Sequence, residues 1–259
     1  MKSVEAVLRA RATESKGSLI GYFPAGYPTI DDSIEALSEM ATGGCNVLEI
    51  GIPYSDPVMD GPVIQRATEQ ALQNGFKVKD LFKIINAIRE KSDVPILVMS
   101  YWNPILAYGV ENFARELAEA GGQGIITPDL IPDEASSWIE ISEKNNLERV
   151  FLAAPSSSSE RVAQAQAASR GFVYAVSTMG ITGERTQLDS LARSVVARIR
   201  DAGDRPACVG VGVSTAQQVR EVNTYADGAI VGTAFIKAYE ESGLAGLRRK
   251  VVELASGLD

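Results

Sequence analysis

The stretch Val47-Leu48-Glu49-Ile50-Gly51-Ile52-Pro53-Tyr54-Ser55-Asp56-Pro57, running on to Asp60-Gly61-Pro62, decides how the rest of the chain is read. It begins as a short apolar run of the kind a buried strand makes. Inside that run stands an acid, Glu49, and a buried carboxylate is costly unless it is paired or takes up a proton. Gly51, Pro53, Pro57, Gly61 and Pro62 then forbid regular structure and specify a shaped loop. That loop carries a second acid, Asp60. One carboxyl at a strand end and another on the following loop reach a common cavity, a pairing suited to general acid–base work. The competing reading is a core glutamate hydrogen-bonded to backbone beside a solvated loop aspartate.

On both sides of this unit, apolar strand-like runs alternate with amphipathic helix-like ones. The strands are expected at Leu19 to Pro24, Asn46 to Ile50, Pro95 to Ser100, Gly124 to Thr127, Arg149 to Ala153, Phe172 to Val176, Pro206 to Val211 and Gly228 to Val231. The helices are expected from Ile30 to Thr42, from Val78 to Lys91 after a break at Asn74-Gly75, and from Glu111 to Ala120. Further helices are expected at Pro132 to Lys144, Ser159 to Ser169, Leu188 to Asp201, Ser214 to Asn223 and Thr233 to Leu254, with Ser214 as one cap. An additional N-terminal helix, Ser3 to Ala12, carries Val4, Val7 and Leu8 on one face and is assigned to plug the bottom of a barrel. Regular βα alternation implies a parallel sheet, and eight units imply closure. The expectation is an α/β protein, a (β/α)8 TIM barrel with an extra N-terminal helix, spanning residues 1–259 as a single domain. The 259 residues sit close to the roughly 250 of such a barrel. No linker divides them; Ser156 to Ser159 is short enough for a loop and helix cap.

Composition removes several function classes. The net charge of -8 argues against nucleic acid or an anionic membrane as partner. No apolar run approaches the roughly 18 residues needed to span a bilayer, and Met1 to Glu5 is not a signal peptide, so a cytoplasmic location is expected. Histidine is absent, which excludes a Ser-His-Asp triad, a Cys-His dyad and the usual zinc ligands. The two cysteines, Cys45 and Cys208, have no metal-ligand spacing, and no metal site is expected. Acid–base chemistry therefore falls to Glu, Asp, Tyr, Lys or Cys.

In a barrel the chemistry lies at the C-terminal ends of the strands. Candidates there are Tyr22, Glu49, Ser100, Tyr101, Asn103, Asp129 and Tyr174. The two strand tyrosines also read as core aromatics. No lysine lies in any of the eight strands, which disfavours a Schiff-base aldolase. Three glycine-bearing turns converge on the same rim: Ser177 to Gly183, Gly210 to Ser214, and Gly232-Thr233. Glycine admits backbone N–H groups to an anion, and barrels commonly bind phosphate after strands seven and eight. Tight turns that need glycine for geometry alone are the alternative.

These residues resemble a known family. Leu48 to Pro57 followed by Asp60-Gly61-Pro62-Val63-Ile64-Gln65 is similar to the signature of the tryptophan synthase alpha chain. The likeness continues through Pro24 to Pro28, Tyr101 to Pro104, Pro128 to Leu130, Gly180 to Gly183, Val209 to Gly212 and Val231 to Thr233, in the family's order. It implies a lyase that cleaves indole-3-glycerol phosphate to indole and glyceraldehyde 3-phosphate. It implies Glu49 as acid–base catalyst, Asp60 as partner of the indole N–H, and Tyr174 and Tyr22 against the substrate. It implies Gly183, Gly212, Gly232 and Thr233 around the phosphate, with Thr182 on a lid that meets Asp60. The implied partner is a beta chain that carries pyridoxal phosphate, in an alpha2beta2 tetramer; no cofactor is implied in this chain. The sequence departs from the family at Thr178-Met179, where a polar residue is common, at Met59 for Ala, at Val211 for Phe, and at Thr233 for Ser.

Two rivals are weighed against this. A phosphosugar isomerase would place Lys, Cys or His at strand ends, and Cys208 starts its strand, at the wrong end of the barrel. A catalytically dead activating subunit would not need both Glu49 and Asp60.

Overall fold

The computed structural model describes residues 2–176, 185–210 and 212–258. Among these residues nine strands form one all-parallel sheet: β1 (Leu19–Pro24), β2 (Val47–Gly51), β3 (Ile96–Met99), β4 (Gly124–Ile126), β5 (Glu148–Val150), β6 (Leu152–Ala153), β7 (Val173–Val176), β8 (Ala207–Gly210) and β9 (Gly228–Val231). Their order is β5-β4-β3-β2-β1-β9-β8-β7-β6. β5 and β6 are separated only by Phe151, so the two ends of that order meet and the sheet is a nearly closed barrel.

The expected fifth strand, Arg149 to Ala153, is thus two strands. At the break the chain changes partners. Glu148 to Val150 pairs with β4, and Leu152-Ala153 pairs with β7. Phe151 N donates to Ser169 Oγ at 3.2 Å instead of to a neighbouring strand, and Phe151 O accepts from Tyr174 N at 3.0 Å.

Around the sheet stand α1 (Val4–Thr13), α2 (Ile30–Gly43), α3 (Pro62–Gln73), α4 (Val78–Arg89), α5 (Trp102–Tyr108), α6 (Val110–Ala120), α7 (Ser136–Lys144), α8 (Ser159–Ala168), α9 (Arg185–Ala202), α10 (Ala216–Asn223) and α11 (Thr233–Ala255). Four details differ from expectation. The helix α5 was not foreseen, because its first N–H, that of Trp102, is capped by the distant Asp129 carboxylate at 2.9 and 3.1 Å. Pro132–Glu134 is a separate 3-10 turn, its bonds running from Glu134 N to Ile131 O and from Ala135 N to Pro132 O. The cap of α10 is Thr215, not Ser214, through a reciprocal box with Gln218. The last helix is interrupted at Ser242 and at Gly243, whose φ of 58° leaves the helical region.

Strand side chains alternate between the two faces. Outward residues such as Phe23, Leu48, Ile50, Val98 and Val209 pack in the main core with the helices. Inward residues Ile20, Val47, Leu97, Ile126, Val150, Phe172, Cys208 and Ile230 make a separate layer, joined by Val4 and Leu8 of α1. The N-terminal helix therefore does plug the barrel. Buried Glu148 holds it there, accepting from Val4 N at 2.8 Å and Glu5 N at 3.1 Å. Val7 is only partly buried.

Candidate active site

The layer above the plug follows from the two-residue period. Counting two on from Ile20, Val47, Leu97, Phe172, Cys208 and Ile230 gives Tyr22, Glu49, Met99, Tyr174, Gly210 and Gly232. All six line one cavity of about 190 Å³ at the C-terminal mouth, with Asp60, Gly212 and Thr233 also on its wall. Register makes Tyr22 the direct neighbour of Glu49.

The small residues at the inward positions make room for the large ones. A Cβ at Gly210 would come within 2.5 Å of Tyr174 Oη, and one at Gly232 within 2.8 Å of Tyr22 Cδ1. Gly51, two residues beyond Glu49, likewise lies under the Tyr22 ring, with no space for a side chain. Gly232 thus has a packing role that its reading as a phosphate residue did not include.

Glu49 is 1% exposed, and its Oε2 has no hydrogen-bond partner among the described residues. Burial, helped by the charge of Asp60, pushes its pKa up to about 8. The backbone-paired core glutamate is therefore not what the fold contains. Asp60 is partly buried on the loop before α3, and burial pushes its pKa up to about 6. The two shifts order the pair, Glu49 keeping its proton to higher pH than Asp60 does. Two carboxyls whose surroundings separate them in this way can act as an acid and as an anion at once. Tyr22 and Tyr174 are raised well above the ordinary phenol value, chiefly by burial, and stay neutral.

Beside Tyr22, at the end of the adjoining β9, Gly232 leads into α11 with no side-chain cap, so the N–H groups of Thr233 and Ala234 at the start of that helix can meet an anion. Gly212, with φ +66°, has open space where a Cβ would stand. The N-terminus of α10, by contrast, is closed by its own Thr215–Gln218 box. The open anion positions are therefore the loop at Gly212 and the start of α11.

Of the other anticipated residues, Thr182 and Gly183 lie outside the described residues, as do Thr178, Met179 and Val211. Asp129 caps α5 and does not line the cavity. Cys208 lies in the plug layer, below the cavity, as its position at the strand start required. Among the described residues no lysine lines the cavity. Met99, Ile64 and Val213, which complete the apolar wall, were not singled out from sequence; the count of two from Leu97 could have found Met99.

A larger cavity of about 550 Å³ opens at the other end of the barrel, between α1 and the loops before β5 and β8. Among its charged groups Glu5 pairs with Arg205 and Glu143 with Arg170, and Glu148 is taken up by the backbone N–H groups of Val4 and Glu5. Among the described residues no group of His, Cys, Asp and Glu could hold a metal ion, and no helix is long and apolar enough to cross a membrane.

The chain is similar to known proteins over almost its whole length. The tryptophan synthase alpha chain from Leifsonia xyli subsp. xyli is 54% identical over 257 residues, covering 99% of this chain and 98% of that one. The one from Nocardia farcinica is 52% identical over 249 residues, covering 96% and 92%. Tryptophan synthase from M. tuberculosis in its aminoacrylate-bound form superposes with a TM-score of 0.92 at 45% identity, covering all of both chains. The tryptophan synthase complex from Pyrococcus furiosus gives 0.82 at 35% identity, over 92% of this chain and 98% of that one. A family model described as tryptophan synthase alpha chain matches residues 8–256, which include both acids and the glycine-bearing turns, and the chain accordingly belongs to the tryptophan synthase alpha chain family.

Proposed function

We propose that Glu49, Asp60 and Tyr174 carry out this family's reaction here, with Tyr22 shaping the pocket and Gly212, Gly232 and Thr233 holding the substrate phosphate. The activity is a carbon–carbon lyase step in tryptophan biosynthesis, the retro-aldol cleavage of indole-3-glycerol phosphate to indole and glyceraldehyde 3-phosphate. Its balance is simple. The substrate hydroxyl loses a proton, indole C3 gains one, and the bond between C3 and the side chain breaks. Glu49, protonated near neutrality, gives its proton to C3, which makes the ring an electron sink. The Glu49 carboxylate so formed takes the hydroxyl proton as the bond breaks and is restored. Asp60, already ionised, stabilises the positive charge that develops on the indole nitrogen. Tyr174, neutral and seated on Gly210, orients the substrate. Thr182 and Gly183 belong to the same proposal as lid and phosphate contacts.

The observation that carries the assignment is the unpartnered Glu49 Oε2, buried in the lumen and facing the same cavity as Asp60. The test is indole release by Glu49→Gln. Loss of an acid–base group costs on the order of 100- to 10,000-fold; near-native turnover in a folded Glu49→Gln protein would overturn the assignment.

The partner is a beta chain, and pyridoxal phosphate belongs to that chain. We assign its docking to the rim around the mouth, in an alpha2beta2 assembly. Support comes from three exposed apolar side chains on successive βα connections there: Val58, 82% exposed, Leu106 and Ile131. A cytoplasmic location fits this reading.

A further inference from the structure

The rim that follows β3 grips the acid loop. Tyr101 Oη accepts a hydrogen bond from Met59 N at 2.8 Å, one residue before Asp60. The Tyr54 ring, at the other end of the loop, packs on the Tyr101 ring with centroids 5.3 Å apart. Asn103 Nδ2 donates to the Tyr54 hydroxyl at 3.3 Å. Tyr101 is itself buried, and its carbonyl accepts from Ser100 Oγ at 2.8 Å. Among the described residues, the hydrogen bonds that the loop makes with its own neighbours are local. Val58 N reaches Asp56 O, Asp60 N reaches Pro57 O, and Gln65 Nε2 reaches Pro57 O and Asp60 O. Those bonds shape the loop but do not tie it to the barrel.

We infer that Tyr101 is a positioning residue for the cleavage, its phenol oxygen and ring holding the loop so that Asp60 faces the indole nitrogen while Glu49 faces C3. The inference rests on the role given to Asp60 above. A carboxylate stabilises a developing charge efficiently only when it is already in place. A misplacement of about 1 Å costs up to about 100-fold in rate. The loop's prolines set its internal turns, but they do not set its distance from Glu49. The bond to Met59 N does, because it fixes the backbone next to Asp60 against a barrel strand end.

The test is Tyr101→Phe, which keeps the ring and removes the acceptor. The expected result is a fall in kcat for indole release of about 10- to 100-fold, with KM little changed and an unaltered CD spectrum. A second readout separates positioning from general packing. Asp60 is faced by Glu49 from β2, Tyr22 from β1, Tyr174 from β7 and Tyr101 itself, and among the described residues no cation lines the cavity. Releasing the loop admits water to Asp60, lowers its pKa from about 6, and moves the acid limb of kcat/KM to lower pH than in the wild type. The substrate phosphate titrates equally in both enzymes, so the difference belongs to the protein.

Wild-type kcat with an unmoved limb overturns the inference, and so does a reduced kcat with an unmoved limb. Should Tyr101→Phe not fold, Tyr54→Leu removes the ring contact from the loop side and must shift the limb in the same direction; an unmoved limb there also overturns it. Asp60→Asn is measured alongside. If Asp60→Asn stays active, the role of Asp60 itself fails; if it is inactive while Tyr101→Phe behaves as wild type, only the positioning role fails.

Discussion

Asp60 raises the proton affinity of Glu49 across the barrel mouth, so the anion of the pair helps to keep the acid of the pair protonated. The two come from different elements, a strand end and a loop, and share one cavity. This coupling shapes the expected behaviour of the variants.

Asp60→Asn removes both the proposed electrostatic partner of the indole nitrogen and the charge that helps to raise Glu49. Indole release should fall by about 100- to 1,000-fold, the range for losing one preorganised electrostatic group. The residual activity should have its alkaline limb at lower pH than wild type, because Glu49 then ionises more easily. The CD spectrum should not change, since Asp60 stands on a loop. A pH profile of the residual rate checks both points, and an unmoved alkaline limb would mean that the two carboxyls do not interact.

Glu49→Gln should stabilise the fold at alkaline pH while abolishing turnover. Below the ordinary carboxyl value of 4.5, Glu49 is protonated in both the folded and the unfolded chain. Between 4.5 and about 8 the unfolded chain has lost the proton and the folded chain still holds it. Stability therefore falls as pH rises through this window, by at most about 1.4 kcal/mol per unit, and levels off above it. Gln carries no such linkage. Urea unfolding of both proteins at pH 5 and pH 8.5 should show the variant's advantage growing with pH; a constant difference would contradict the raised pKa.

Gly212→Val should weaken phosphate binding. The φ of +66° lies in the left-handed region, where an L residue costs roughly 1–2 kcal/mol. The new side chain would also occupy the open space beside Gly212, where the phosphate is proposed to bind. Affinity for inorganic phosphate or glycerol phosphate, measured in wild type and variant, decides the matter. Equal affinities would reduce Gly212 to a turn residue.

A matched beta chain should raise indole release by at least about tenfold, a change worth roughly 1.4 kcal/mol. The partner would favour the conformation in which the acid loop is closed, by making contacts that only this conformation offers. Val58 lies on that loop and is almost fully exposed. Val58→Asp should therefore demand more beta chain for the same activation while leaving the unstimulated rate alone. Steady-state cleavage during a titration with beta chain tests both statements, and a flat titration of the wild type would indicate a lyase that works by itself.

Much of this was legible in the sequence because it is local. Apolar runs punctuated by Gly and Pro locate strands and turns, and Glu49 announces itself as a charge inside such a run. The two-residue period then carries Tyr22, Glu49, Tyr174, Gly210 and Gly232 to one face of the sheet, whatever their distance along the chain. Tertiary structure alone decided what depends on partners far away in sequence. Phe151 breaks its strand because the Ser169 hydroxyl takes its N–H while its carbonyl turns to Tyr174 of β7. Asp129 looks catalytic at a strand end, yet it caps a helix 27 residues earlier. Tyr101 meets Met59 across 42 residues, and nothing in either neighbourhood signals the bond. The pKa values of Glu49 and Asp60 belong to the same class. A side chain's type sets which charge it can carry, but the depth of its burial and the sign of its neighbours exist only once the barrel has closed, and those set whether it holds its proton.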